Sequence, residues 1–289
     1  MKQLFFSLFR FFQHILKGSG LGKIRILQKL RDGIYNVLRP QATTQIEVEG
    51  INLFVDPKDE AIGKLFLVHK RYEPTETDLI KSLLKQGMNV VDIGANIGYY
   101  SILASKCVGE KGKIFCFEPA PTNYSFLQKN INANACKNIV AIQKAVSDKQ
   151  GALELFMDEY VSGGHQIFNT GKKSKSVKVE TISIDEFWEN EIPQIDLLKI
   201  DIEGAEMLAL SGMKKTLSTN SSIKFITEFY PTMIERCGFS PQQYLNELRS
   251  LGFSLSVIDE EKKKILKAND EEIFSAAKID GTTNLLCER

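Results

Sequence analysis

The sequence predicts an α/β fold: a doubly wound, mostly parallel sheet of about seven strands, closed by an antiparallel C-terminal pair and preceded by a helical extension. Three observations carry that expectation. Short apolar runs, Asn89 to Ile93, Gly112 to Pro119 and Asn138 to Val146, alternate with stretches of helical periodicity, as parallel βαβ units do. The alternation resumes with Ile195 to Ile202 and Ser222 to Phe229, each followed by a helix. The composition, 43% apolar and 25% charged over 289 residues, is that of a globular chain long enough for one large domain or two small ones.

The elements follow in order. Residues 1–45 read as a basic amphipathic extension, and 46–289 as the α/β domain. Leu4, Phe5, Leu8, Phe9, Phe12, Ile15 and Leu16 recur near a helical repeat. Lys2, Arg10, Lys17, Lys23, Arg25, Lys29 and Arg31 are interspersed or follow, with no acid before Asp32. Arg10, Gln13 and His14 interrupt the run, so it does not read as a spanning helix, and it lacks the small-residue cleavage site of a signal peptide. Two readings fit: a helix lying flat on an anionic membrane, or one packing its phenylalanines on the protein or on a second subunit. The expected location is cytoplasmic, with peripheral contact to the inner membrane surface through residues 1–31 under the first reading.

Ile46 to Pro57 alternates and turns at Glu49-Gly50, as a hairpin does. Pro74 to Gly87 reads as a helix with Leu79, Leu83 and Leu84 inward. Helices are expected from about Gly98 to Cys107 and Thr122 to Asn132. The stretch after Gly151 breaks the pattern and reads as an antiparallel excursion with a loop around Gly163-Gly164. Gly204 to Leu217 reads as one helix, and the runs from Phe253 and Thr282 form the closing pair.

Composition excludes several classes. A net charge of +1 gives no field for a nucleic-acid partner. Five cysteines without a CxxC pair suit reduced thiols, and three scattered histidines, His14, His69 and His165, offer no zinc spacing, so no metal site is expected.

The chemistry begins at "VVDIGANIGYYS", Val90 to Ser101. In open α/β sheets, ligands bind beyond the carboxyl ends of the strands. Gly94 and Gly98 allow a tight turn and a close backbone approach. The spacing is G-x-x-x-G, not the dinucleotide G-x-G-x-x-G, and Asn96 stands where a glycine would approach a pyrophosphate. The Asp92 carboxylate repels a pyrophosphate and suits a cation; S-adenosyl-L-methionine is such a ligand. Glu118, ending the next strand, is placed to accept a ribose diol, and Asp148 in "AVSD" to reach an adenine amino group. The competing structural reading makes each acid a helix cap or turn residue.

A second constellation lies in "LLKIDIEGAE". Lys199 and Asp201 interrupt a strand expected to be apolar and point the same way, with Glu203 and Glu206 just beyond. A buried ion pair is the bland alternative, although such pairs are weak stabilisers.

The segments "YEPTETDLIKSLLKQGMNVVDIGANIGYYS", "FEP", "AVSD", "LLKIDIEGAE" and "TNLL" together resemble the FkbM family of S-adenosylmethionine-dependent methyltransferases, over roughly Ile46 to Cys287. The resemblance implies a class I methyltransferase (Rossmann-like) fold and methyl transfer to oxygen, often a sugar hydroxyl of a glycan, glycolipid or natural product. It implies that Asp92, Gly94, Asn96 and Gly98 form the cofactor loop, that Glu118 is the ribose acid and Asp148 the adenine-side acid. Asp201, Glu203 and Glu206 fall on the motif after the fourth strand. Alternatives from other classes are a binding module that kept the fold without catalysis, and methylation of another small molecule or of RNA.

Methyl transfer to a hydroxyl needs alignment and a base. Asp201 is the first candidate, with Glu203 and His165 behind it; Lys199 orients Asp201 or stabilises an oxyanion. The "SGGHQ" loop reads either as a cover over the site or as a surface loop, and Glu228, ending the fifth strand, either as an acceptor-side acid or as a helix-cap or edge residue. The lysine run at 172, 173, 175 and 178 reads as a solvated loop, or alternatively as a funnel for an anionic acceptor.

Overall fold

The computed structural model describes residues 5, 6, 8, 25–158, 161–168, 175–189 and 191–289. The Leu4 to Leu16 pattern therefore lies mostly outside the described residues, as do Tyr160, Lys172 and Lys173. The chain divides into two compact units, Met1–Tyr72 and Glu73–Arg289, so the hairpin expected to open the α/β domain counts with the first unit.

The first unit holds α1 (Arg25–Leu38), β1 (Thr44–Val48), β2 (Ile51–Val55) and α2 (Ile62–His69). The two strands pair antiparallel around Glu49 and Gly50, whose φ values of 53° and 74° give the doubly left-handed turn that suits a two-residue hairpin. Ile51, Leu53 and Val55 alternate into the core with Phe66 and Leu67 of α2. Tyr35 of α1 is fully buried; its hydroxyl donates to the Pro57 carbonyl at 3.1 Å, and the Lys64 ammonium lies 5.1 Å from its ring centre.

The second unit begins with α3 (Pro74–Leu83), β3 (Asn89–Ile93), α4 (Tyr99–Val108), β4 (Lys113–Phe117), α5 (Pro121–Ala133) and β5 (Ile139–Ile142). β6 (Ala145–Val146), β7 (Gly151–Met157) and β8 (Lys175–Ile182) form a separate three-stranded sheet, which is the antiparallel excursion read from the sequence. Then come α6 (Ile184–Phe187), β9 (Leu197–Ile200), α7 (Glu206–Ser211), α8 (Lys214–Thr219), β10 (Lys224–Phe229), α9 (Pro231–Arg236), α10 (Pro241–Ser250), β11 (Ser254–Asp259), β12 (Lys264–Lys267), α11 (Asp270–Asp280) and β13 (Thr283–Glu288).

The main sheet runs β12-β11-β13-β10-β9-β3-β4-β5. β10, β9, β3, β4 and β5 are parallel, and β13 enters antiparallel between β10 and β11. This is the doubly wound α/β architecture predicted, with seven strands in the expected roles and β12 added at the edge. Chain progression reverses between β3 and β9: the strands after β3 build outward on one side, those after β9 on the other. A crevice opens at the carboxyl ends of strands where the order reverses. Val91, Ile93, Leu198, Ile200, Phe225 and Phe229 join one buried cluster, the continuous apolar packing of a sheet covered on its faces.

Three local expectations change. The strand read from Asn138 to Val146 splits: β5 stays in the main sheet, while Ala145 and Val146 pair with Thr181 and Ile182 of β8. The helix read from Gly204 to Leu217 is two helices broken at Gly212, where a Cβ would lie 2.1 Å from the Ser147 carbonyl oxygen. The inner face of α3 is Glu76, Thr77 and Ile80, with Leu79 and Leu83 only half-buried, because Glu76 has an ion-pair partner inside. The N-terminus of α3 lacks a local side-chain cap; the Glu260 carboxylate instead accepts from the amides of Thr75 and Glu76 at 3.0 and 2.9 Å, placing an anion at the positive end of the helix.

Candidate active site at the strand-order reversal

The glycine loop is locked by its surroundings. Gly94 has φ 88°, and a Cβ there would stand 1.9 Å from the backbone oxygen of Asp201, so the loop presses directly on the end of β9. The Gly94 and Ala95 amides both donate to the Phe117 carbonyl. Gly98, at φ 91°, starts α4; a Cβ there would lie 2.6 Å from a Leu127 methyl carbon, a contact that a side chain would force apart. Asn96 adopts a left-handed φ of 50° and its side-chain oxygen accepts from the Ile97 amide, which is why an asparagine tolerates this position.

Glu118 joins strand end to loop. One carboxylate oxygen accepts the Asn96 amide at 2.8 Å and the other the Ala120 amide at 2.9 Å. Burial raises this carboxyl to about 7, against the lowering effect of those two amides. Asp92 is nearly fully buried and accepts from the Ser101 hydroxyl at 2.6 Å; burial holds it above the ordinary carboxylate range. Asp148 lies two residues beyond β6. It follows the split strand, is exposed, and accepts from its neighbour Ser147 at 3.1 Å.

The register sets Lys199 directly beside Asp92 across β9 and β3. Its ammonium lies 3.1 Å from Asp201 and 3.2 Å from Glu76, and 4.8 Å from the Tyr100 ring centre. Burial by itself lowers a lysine, but the carboxylates of Asp201, Glu76, Glu73 and Asp92 outweigh it and hold Lys199 well above its ordinary value. Lys199 is therefore a permanent cation. Glu73 adds a further carboxyl at the start of α3, accepting from the Tyr100 hydroxyl at 2.7 Å and from Asn284 at 3.3 Å; burial, then the neighbouring Glu76, raise it to about 8. Asn284 of β13 also donates to Glu76 at 2.6 Å.

Beyond β9 the chain turns through Glu203 at φ 55° and Gly204 at φ 100°. Glu206 accepts from the Ile202 and Gly204 amides at 3.3 and 3.1 Å, so it stabilises this turn from inside. Burial raises Glu206 to about 7 and, with Asp201 and Glu206 nearby, Glu203 to about 8. Glu228 accepts from Thr282 at 2.9 Å, and burial together with Asp201, Glu203 and Glu206 pushes it well above its ordinary value.

The segment at 161–168 folds over the glycine loop, the first of the two readings of its sequence. The Ser162 carbonyl accepts from Asn96 at 3.1 Å and from Asn123 at 2.9 Å. Further along, Gln166 pairs with Phe156 through its backbone and approaches the Met233 sulfur at 3.4 Å, next to Gly204. The segment thus spans from the glycine loop to the turn after β9. His165 accepts the Asp158 amide on Nδ1 at 3.1 Å, which leaves Nε2 carrying the proton in the neutral ring.

Sequence reasoning missed Glu73, Glu76, Asn123, Gln166 and Asn284. The signal that could have found Glu76 is the buried Lys199 itself, which pairs with a second carboxylate besides Asp201. Among the described residues no cluster of three or more histidine, cysteine or acidic side chains has the geometry of a metal site.

The family model described as Methyltransferase FkbM domain matches residues 92–255. The hexuronic acid methyltransferase AglP of Haloferax volcanii is 29% identical over 156 residues, covering 52% of this chain and 60% of that protein. Methyltransferase sdnD of Sordaria araneosa is 29% identical over 155 residues, covering 43% of this chain and 60% of that protein. The chain thus spans less than two thirds of the curated relatives it matches. Among solved structures, a SAM-dependent O-methyltransferase from Thermotoga maritima is 13% identical with TM-score 0.45, covering 89% of this chain and 81% of that one. TYW2 of M. jannaschii in complex with AdoMet is 14% identical with TM-score 0.45, covering 86% and 88%. Likeness at that level bears on neither cofactor nor acceptor.

Proposed function

The chain belongs to the FkbM methyltransferase family, and on that premise we propose that it is an S-adenosylmethionine-dependent methyltransferase acting on a sugar hydroxyl of a glycan, glycolipid or natural product. The observation that carries the reading is the carboxylate rim where strand order reverses: Asp92 and Glu118 flank a loop with no room for a Cβ at Gly94. That rim fits the cofactor. Carboxylates suit a cationic ligand with a ribose diol, and two of them would repel a pyrophosphate. Glu118, with each oxygen already anchored on an amide, would hold the ribose through its remaining lone pairs. Gly94, Asn96 and Gly98 would supply the backbone surface, with the buried Asp92 in the strand that leads into them.

S-adenosylmethionine supplies an activated methyl group on a good leaving group, so the protein's contribution is alignment and proton removal. Asp201, paired with a lysine that stays charged, is the proposed proton acceptor for the acceptor hydroxyl. Lys199 fixes its orientation and offsets the negative charge gathered there. Glu203, raised to about 8, stands next to it at the turn and would retain a proton at neutral pH, suiting it to donate to acceptor oxygens. The sugar reading is supported by the hexuronic acid methyltransferase among the relatives.

Calorimetry tests the cofactor half. S-adenosylmethionine is expected to bind, NAD not to, and Glu118→Ala to weaken binding at least about tenfold through the lost ribose contacts; unchanged affinity in that variant overturns the assignment. Asp201→Asn should keep cofactor binding and lose turnover. Incubation with labelled S-adenosylmethionine and a cell-envelope extract identifies the acceptor fraction, and label found only in RNA would reject the sugar reading.

A further inference from the structure

Six of the eight large apolar side chains that stand exposed among the described residues belong to the smaller unit: Phe5, Leu8, Leu27, Leu30, Ile34 and Val37. The last four lie on α1 at the i, i+3, i+7, i+10 spacing of a single helical face. Leu30 is 58% exposed and Val37 67%. Tyr35 leaves the same helix in another direction, is fully buried and bonds Pro57. One side of α1 is thus anchored while an apolar stripe faces outward, a feature that marks an interaction surface.

Charge identifies what covers it. Residues 1–31 hold seven of the chain's 37 lysines and arginines and none of its 36 acids, so with a total of +1 the remainder carries −6. Lys29, on α1, is exposed, and Arg31 is partly so, 3.5 Å from the Asp32 carboxylate on the same helix. A second copy meeting this face about a twofold axis would bring like charges together. Anionic headgroups instead attract them, and the apolar stripe enters the boundary beneath. At 14 residues α1 is shorter than the roughly 20 needed to span a bilayer.

We propose that α1 docks flat on an anionic lipid surface, burying Leu27, Leu30, Ile34 and Val37 at the acyl boundary with Lys29 at headgroup level. This surface is independent of the catalytic reading above.

Flotation of the full chain tests it, using phosphatidylcholine vesicles with and without about one third phosphatidylglycerol. The protein should float with the anionic vesicles and at least about tenfold less with the neutral ones. The double substitution Leu30→Ser with Val37→Ser should lower the bound fraction by about tenfold or more while thermal melting is unchanged. Equal flotation of the variant, or equal flotation on both vesicles, overturns the proposal. So does an absence of flotation accompanied by a dimer in sedimentation that the same substitutions dissolve.

Discussion

The two units handle awkward residues in opposite ways. The larger unit hides charge: Asp92, Lys199, Glu76 and Glu206 are all buried in or beside the sheet. The smaller unit displays grease: four aliphatic side chains of α1 face outward while Tyr35 carries the packing. Each choice costs stability if nothing compensates, and each is compensated differently. The buried groups find partners within the fold: Glu76 pairs with Lys199, Asp92 accepts from Ser101, and Glu206 accepts from the Ile202 and Gly204 amides. The exposed stripe has no such partner described within its unit, and so its compensation is sought in an external surface. A rule violated and then satisfied internally points to chemistry; one left unsatisfied points to a partner.

Breaking the internal compensation should have the largest effect. Lys199→Met leaves the buried Glu76 and the half-buried Asp201 without their cation, and chemical denaturation should show a loss of about 3–5 kcal/mol together with loss of turnover. Gly94→Ala comes next: the positive φ and the 1.9 Å approach to Asp201 both oppose a side chain, so stability should fall by about 1–3 kcal/mol and cofactor affinity with it. Calorimetry on the folded fraction separates the two effects.

A smaller, pH-dependent effect follows from the raised carboxyls. Glu73 and Glu203 stand at about 8, Glu118 and Glu206 at about 7, against an ordinary value of 4.5. Between pH 4.5 and 8 the folded protein holds protons that the unfolded chain has released, so the unligated protein should lose stability as pH rises through that window. Thermal melts from about pH 5 to 8 should show the fall, and Glu203→Gln should flatten it. The least effect belongs to the other unit: Leu30→Ser should change stability by less than about 0.5 kcal/mol in denaturant titration, since its side chain is already largely in water.

The sequence reached the glycine loop and the acids around it because these are local signals. Gly94, Gly98 and Asn96 are spaced within one turn, and Asp92 and Glu118 sit at the ends of apolar runs short enough to be recognised as strands. The charged pair Lys199 and Asp201 announced itself by interrupting such a run. The strand read from Asn138 to Val146 split because nothing in "NIVAIQKAVSD" says that the chain changes sheets after Ile142. Glu76 was missed for a related reason: on an amphipathic helix a glutamate reads as solvent-facing unless its partner is known, and Lys199 is remote in sequence.

The sequence by itself determined the alternation of strands and helices, the turn that admits a ligand, and the segregation of positive charge into the first 31 residues. These depend on side-chain periodicity, backbone freedom and composition, which act over a few residues or need no structure at all. Only the tertiary structure decided which carboxylates share Lys199, that Glu260 caps α3 from beyond β11, that Gln166 reaches Met233, and which face of α1 stays uncovered. Burial and ion pairing are set by neighbours far along the chain, and no local pattern encodes who those neighbours are.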